Sequence, residues 1–169
     1  LPENMATCAA PMSNADVMPT LCELSGASLP NEVQGRSILP VLRGELPVFV
    51  HANEVKQIES AVRWAKAEKL KVTIVGGSDA WRVIDLLKAN DVAVIVSPVL
   101  ALPLRREDPF DAPFANPGKL QAAGVRFCIA NDGGDAELGT MADRNLPYQA
   151  GKAAAYGLPP AEALKAITL

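Results

Sequence analysis

The stretch from Leu46 to Gly77, LPVFVHANEVKQIESAVRWAKAEKLKVTIVGG, constrains this chain more than any other. It reads as strand, helix, strand. Val48-Phe49-Val50 is a β-branched and aromatic run that ends at His51, the single histidine of the sequence. Ile58, Val62 and Ala65 then recur at helical spacing, with Lys and Glu between them. Val72 to Val75 is a second apolar run, closed by Gly76-Gly77. Two short apolar strands joined by a helix predict a parallel βαβ unit. A polar residue at the C-terminal end of such a strand sits where α/β folds place their chemistry, so His51 is the first candidate site residue.

The same alternation continues downstream. Ser78-Asp79 is predicted to cap a helix over 80–88, with Trp81, Ile84 and Leu87 inward. Val92 to Ser97 reads as a third buried strand. Residues 98–117 read as a long proline-rich loop, and a loop of that length in a compact domain is usually functional or disordered. A short helix over 118–123 is stopped by Gly124. Val125 to Ala130 is the fourth strand, opening into Asn131-Asp132-Gly133-Gly134-Asp135. A helix over 146–156 carries Ala150, Ala153 and Ala154 as a small-residue face, Gly157 stops it, and Pro159-Pro160 start a last helix over 161–167. Four buried strands with right-handed crossovers predict one parallel sheet. That is an α/β architecture of about four βα units, half of a (β/α)₈ barrel, which takes roughly 250 residues in full.

Residues 1–45 are of another kind. The first 15 are small, polar and expected to be poorly ordered. Asp16 is a plausible N-cap, Pro19 is tolerated in a first turn, Gly26 is a stop, and Val17, Leu21 and Leu24 share a face. One short amphipathic helix is therefore predicted, followed by a turn-rich stretch to residue 45. Two parts are expected: 1–45, irregular with one helix, and 46–169, the half-barrel.

Composition removes several function classes. The net charge is −3, and Lys and Arg are interleaved with acids rather than gathered, so a nucleic-acid surface is not expected. Aromatic residues are only 5%, too few for base-stacking platforms. No stretch approaches the ~20 apolar residues of a membrane span, and no signal peptide is visible. The chain does not begin with Met, which is compatible with a cut edge. Cys8, Cys22 and Cys128 are widely spaced, with no zinc-type spacing, and read as reduced apolar residues, which favours a cytoplasmic setting.

Two resemblances follow from these residues. DVMPTLCELSGASLPNEVQGRSILPVLRGE, within about 11–45, resembles the C-terminal part of the sulfatases of the alkaline-phosphatase-like superfamily. That part carries none of the sulfatase catalytic residues, so sulfate-ester hydrolysis is a distant alternative. From about residue 46, the blocks PVFVHAN, VTIVGGSDAW, AAGVRFCIA and RNLPYQAGKAAAYGLPPAEALKAITL resemble the C-terminal half of the amidohydrolase superfamily, in its imidazolonepropionase-like branch.

The second resemblance implies strands 5 to 8 of a (β/α)₈ barrel and metal-dependent hydrolysis of amide or cyclic amide C–N bonds by a metal-activated water. His51 matches the metal ligand after strand 5. No histidine stands at the strand-6 position near Ile74–Gly77. Asp132 matches the ligand and catalytic carboxylate after strand 8, with Asp135 as a substitute in another register. The implied cation is zinc first, iron or manganese next. A catalytic zinc wants about three protein ligands and an open position for water. His51, Asp132, Asp135 and Asn53 together offer at best a weak mononuclear site.

Each candidate also has a plainer reading. His51 can be an ordinary histidine, and Asp132 can be a turn former in Asn-Asp-Gly-Gly. Gly76-Gly77 can receive a phosphate at a helix N-terminus or serve close packing. Arg105-Arg106-Glu107-Asp108 can grip a substrate carboxylate or form a solvated charge run. Two functional expectations stand: an amidohydrolase-like half acting on a small amide-type substrate, or a non-catalytic βα fragment that forms homo-oligomers through its open sheet edges.

Overall fold

A computed structural model describes residues 14–29, 35–131 and 144–168. The chain divides into two compact units, Leu1–Val48 and Phe49–Leu169.

In the first unit, helix α1 spans Asn14–Ser25 and a single turn, α2, spans Leu39–Leu42. The helix starts two residues ahead of the predicted cap, which places Asp16 in its first turn. Its carboxylate instead accepts the backbone N–H of Arg36 at 2.9 Å. Thr20 donates to the Asp16 carbonyl at 2.6 Å and accepts from the N–H of Ile38 at 3.2 Å. The Asp-x-x-x-Thr spacing thus aims two side chains, one turn apart, at the returning segment. Gly26 ends α1 with φ +72, as expected of a glycine stop. Val17, Leu21 and Leu24 share a face as predicted, but all three are exposed.

The second unit is built on a four-stranded sheet: β1 (Val48–Ala52), β2 (Val72–Gly76), β3 (Ala93–Val96) and β4 (Phe127–Ile129). Its order is β1-β2-β3-β4. The strands are parallel, with Ile74 beside Val94 and Val94 beside Phe127 in one row, and Val75, Ile95 and Cys128 in the next. Helix α3 (Val55–Ala67) crosses from β1 to β2. A 3₁₀ turn at Ala80–Arg82 and α4 (Ile84–Ala89) cross from β2 to β3, and α5 (Ala112–Ala123) crosses from β3 to β4. Helices α6 (Leu146–Ala155) and α7 (Pro160–Thr168) follow.

The pattern of the sequence explains these elements. In α3 the buried positions are Ile58, Ala61, Val62 and Ala65, the predicted stripe with one alanine added. Glu54 and Gln57 close a capping box at its N-terminus, which fixes where β1 turns into helix. Along β2 and β3, Val72, Ile74, Val94 and Val96 are buried, while Thr73, Val75, Ala93 and Ile95 between them are half-buried. The strand order never reverses, and right-handed crossovers then put every crossover helix on one face. The core of Ile58, Ile74, Leu87, Val94, Leu120 and Ala153 fills that layer. This is the arrangement of a partial (β/α) barrel, as the alternation of apolar runs predicts.

Two local predictions need correction. The helix expected over 118–123 begins at Ala112, so the connecting loop is 97–111 rather than 98–117. Pro113 falls in the first turn, where no N–H is needed, and Pro117 gives up one bond inside the helix but is fully buried. The helix expected over 80–88 is split at Val83, and neither segment has a side-chain cap. Asp79 is engaged elsewhere.

Candidate functional site

The four strand ends meet at one edge of the sheet, and polar side chains collect there. His51 lies at the C-terminal end of β1 and is exposed. No hydrogen bond or ion pair involves its imidazole among the described residues. Two residues on, the Asn53 carbonyl accepts the N–H of Asp79, and its side-chain oxygen accepts the Ser78 hydroxyl at 3.0 Å. The ends of β1 and β2 are thereby fastened together.

Gly76 and Gly77 make this approach possible. Gly76 has φ +98 and Gly77 φ +60, and a Cβ at Gly76 would run into the Asn53 amide. A Cβ at Gly77 would stand 2.6 Å from Cγ1 of Val94. The Gly77 N–H donates to the Ala52 carbonyl at 2.9 Å, and the Gly76 carbonyl accepts the Ser97 N–H at 3.1 Å. Of the two readings of this glycine pair, close packing is the one its geometry supports.

Asp79 is almost fully buried and is the electrostatic centre of the region. Its Oδ2 accepts from Arg105 at 2.7 Å and its Oδ1 accepts from the other Arg105 terminal nitrogen at 3.1 Å, a two-pronged pair. Arg82 stands 3.5 Å from Oδ1, and the Val55 N–H points at Oδ2 from 3.4 Å. Asp108, also nearly buried, pairs with Arg82 and lies 3.6 Å from Arg105. The hydrogen bonds that Arg105 donates to Asp79, and the negative charge of that carboxylate, hold its guanidinium above the usual arginine range. Two carboxylates and two guanidiniums therefore close a neutral ring that straps the 97–111 loop onto the end of β2. The Arg105–Asp108 run divides: Arg106 and Glu107 are exposed, as a solvated run would be, while Arg105 and Asp108 turn inward and pair with Asp79 and Arg82. The sequence assigns Asp79 a capping role at the helix that follows it, and the pairing with Arg105 and Arg82 takes that place.

Farther along the edge, buried Gln149 of α6 accepts the Val99 N–H at 2.8 Å and donates to the Asn131 side-chain oxygen at 3.3 Å. It ties the loop after β3 to the end of β4. Gln149 escaped the sequence reading because it sits in a helix read for its alanines. Asn131 is the residue immediately before Asp132, which lies outside the described residues, as do Asp135 and Cys8. Cys22 and Cys128 are free thiols, and burial pushes the Cys128 thiol up.

Among the described residues no group of three or more His, Cys, Asp or Glu side chains is placed to hold a metal ion. A catalytic zinc centre needs about three protein ligands. The described residues do not fit such a centre by themselves, because Asp79 and Asp108 are committed to arginines and His51 stands at the rim. No helix among the described residues is long and apolar enough to cross a membrane.

Fold and site together define a singly wound α/β half-barrel with a polar rim at the C-terminal ends of its strands. In that architecture the chain is similar to the crystal structure of an amidohydrolase from Thermotoga maritima MSB8, with a TM-score of 0.63 and 22% sequence identity. The similarity covers 88% of this chain and 37% of that one, so the chain spans little more than a third of that protein's length. Its fold is amidohydrolase-like. No protein-family model matches the sequence, and no curated protein does.

Proposed function

We propose that the chain is the C-terminal half of an amidohydrolase-type barrel, of the imidazolonepropionase-like kind, whose strand-end rim faces a small amide or cyclic amide. The observation that carries this reading is His51 at the C-terminal end of β1 in a fold similar to part of an amidohydrolase. The reaction class is hydrolysis of a C–N bond. In this reading His51 and Asp132 are the chain's contributions toward a divalent cation, zinc first and iron or manganese next. The remaining ligands come from a second half-barrel. Within this reading the ring of Asp79, Arg82, Arg105 and Asp108 has a positioning role, since it holds the wall of the rim in place.

The test is the metal content of the purified chain and of His51→Ala. The reading expects weak, partial occupancy by a divalent cation in the unmodified chain, as fits an incomplete ligand set, and a clear loss in the variant. Absence of metal from both, or equal uptake by both, overturns it.

A second reading has its own observation. Parallel sheets are normally covered on both faces, and here the crossover helices cover one. Thr73, Val75, Ala93, Ile95 and Cys128 lie on the other, and β1 and β4 are edge strands. Such a sheet can pair with a second copy and have no turnover of its own. Sedimentation of the chain decides: a species of twice the chain mass is expected, and a clean monomer across the accessible concentrations refutes the pairing.

A further inference from the structure

Strands β1 and β4 end the sheet, and each leaves a row of backbone groups open. The Ala52 carbonyl accepts from Gly77 at the end of β2, so Val48, Val50 and Ala52 turn their backbone toward β2 and Phe49 and His51 turn theirs outward. At the other end the Arg126 carbonyl accepts from Val94 and the Ala130 N–H donates to Val96, so Phe127 and Ile129 turn theirs outward. None of these four outward residues has a backbone partner among the described residues. A groove of about 370 Å³ lies beside β4, between Val125, Phe127 and Cys128 on one side and Glu162, Lys165 and Ala166 of α7 on the other, which leaves open space along that strand. The side chains add a second observation. Val48 and Ala52 are buried, so the alternation of β1 puts Phe49 and His51 on the face away from the crossover helices, with Val75, Ile95 and Cys128. Phe49, an aromatic in the middle of an edge strand, is 58% exposed.

We propose that two copies of this chain close one eight-stranded barrel, with β4 of each copy paired in parallel to β1 of the other. The inference rests on the self-pairing described as the second reading above, and it adds the arrangement. Four strands are half of the eight that close a (β/α) barrel. The outward row of β1 is what a strand needs to continue the ladder beyond β4. A two-fold axis along the strands makes that joint twice, keeps all eight strands parallel and closes the ring at two copies. A closed barrel has no edges and fills its interior with side chains. This one arrangement therefore covers both open edges and the bare face, Phe49 included. A different partner would have to bring four parallel strands with both edges matched, which a second copy has by construction. The same axis sets the two His51 side chains at one mouth, so the partner copy contributes a residue to the rim.

Hydrogen exchange read residue by residue on the unmodified chain, at concentrations on either side of dimer formation, tests the arrangement. The amides of Phe49, His51, Phe127 and Ile129 are expected to gain protection together as the dimer forms. A chain that stays monomeric overturns both the barrel and the self-pairing beneath it. A dimer in which these amides exchange freely, or in which one edge alone is protected, overturns the closed barrel and leaves self-pairing through another surface. Phe49→Pro removes an N–H that makes no bond to β2, and proline is tolerated at such edge positions. Phe49→Lys sets a charge on the bare face, a device that blocks edge pairing. Both variants are expected to keep a cooperative melt and to lose the dimer in sedimentation. A folded variant of either kind that dimerises as its parent does overturns the proposal. The exchange measurement needs only the unmodified chain should the variants fail to fold.

Discussion

Gly77→Ala measures how tightly the strand ends are packed. The backbone at Gly77 has φ +60, and the new Cβ would stand 2.6 Å from Cγ1 of Val94, whose side chain is 1% exposed. Two costs arise. A left-handed conformation penalises an L-residue by roughly 1–2 kcal/mol. Forcing a methyl into a filled core costs about 1–3 kcal/mol more. The expected loss is therefore about 2–5 kcal/mol, a large part of the stability of an ordinary domain. Val94→Ala alone removes the obstructing methyl and costs about 2 kcal/mol through lost burial and the cavity left behind. In the double variant the clash disappears and the backbone strain stays. The coupling energy should then be favourable by about 1–3 kcal/mol. Trp64 and Trp81, the two tryptophans of the chain, both lie in the second unit, so urea titration followed by tryptophan fluorescence reports on the unit concerned. Additivity of the two substitutions within about 0.5 kcal/mol would refute the packing argument, as would a Gly77→Ala variant as stable as its parent.

Other expectations follow from the same geometry. Gln149→Leu takes away the acceptor of the Val99 N–H and should cost about 1–3 kcal/mol; hydrogen exchange at the Val99 amide should accelerate, and an unchanged rate would count against the link. The folded Cys128 thiol holds its proton to higher pH than in the unfolded chain, so the unfolded form ionises first as pH rises. Its contribution to stability is intact below the ordinary thiol range and declines through it. Correspondingly, Cys128 should alkylate more slowly in the native than in the denatured chain at mildly alkaline pH, and equal rates would contradict its burial. His51→Ala, at an exposed position, should change stability by no more than about 0.5 kcal/mol, so any loss of metal in that variant reports on the site rather than on folding. Thr20→Val in the first unit should cost about 1 kcal/mol and expose the Ile38 amide to exchange; protection of that amide in the variant would remove Thr20 from its role.

The strands and the long helix were legible because burial imposes period and composition on them. Val72–Val75 and Val92–Val96 are apolar runs bounded by turn residues, and the Ile58-Val62-Ala65 stripe has one helical reading. The extra turns of α5 were hidden by Pro113 and Pro117, which read as loop until a buried setting rewards them. The strap was hidden for another reason. Arg105 and Asp108 look like any surface charges, and only the fold brings them to Asp79, 26 residues earlier for Arg105. The partner of a buried charge is a tertiary fact, and so is the pairing of Gln149 with Val99 across 50 positions. His51 was readable as a strand-end histidine from sequence alone, while its exposure needed the three-dimensional structure.

The unreversed strand order also bears on how the chain acquires its structure. Each strand after β1 pairs with the one synthesised before it, across one helical crossover. Consecutive pairing keeps the sequence separation of the paired strands smaller than a reversed strand order would. A nascent chain can therefore lay down β1, β2 and β3 in sequence as it emerges, with each new βα unit templated on the last. Gln149 reaches back from beyond β4, to the loop after β3 and the end of β4, which makes the α6 segment the latch that closes after the sheet has grown. Chains arrested before residue 146 should carry the first three strands in protected form, with the loop after β3 still open to exchange.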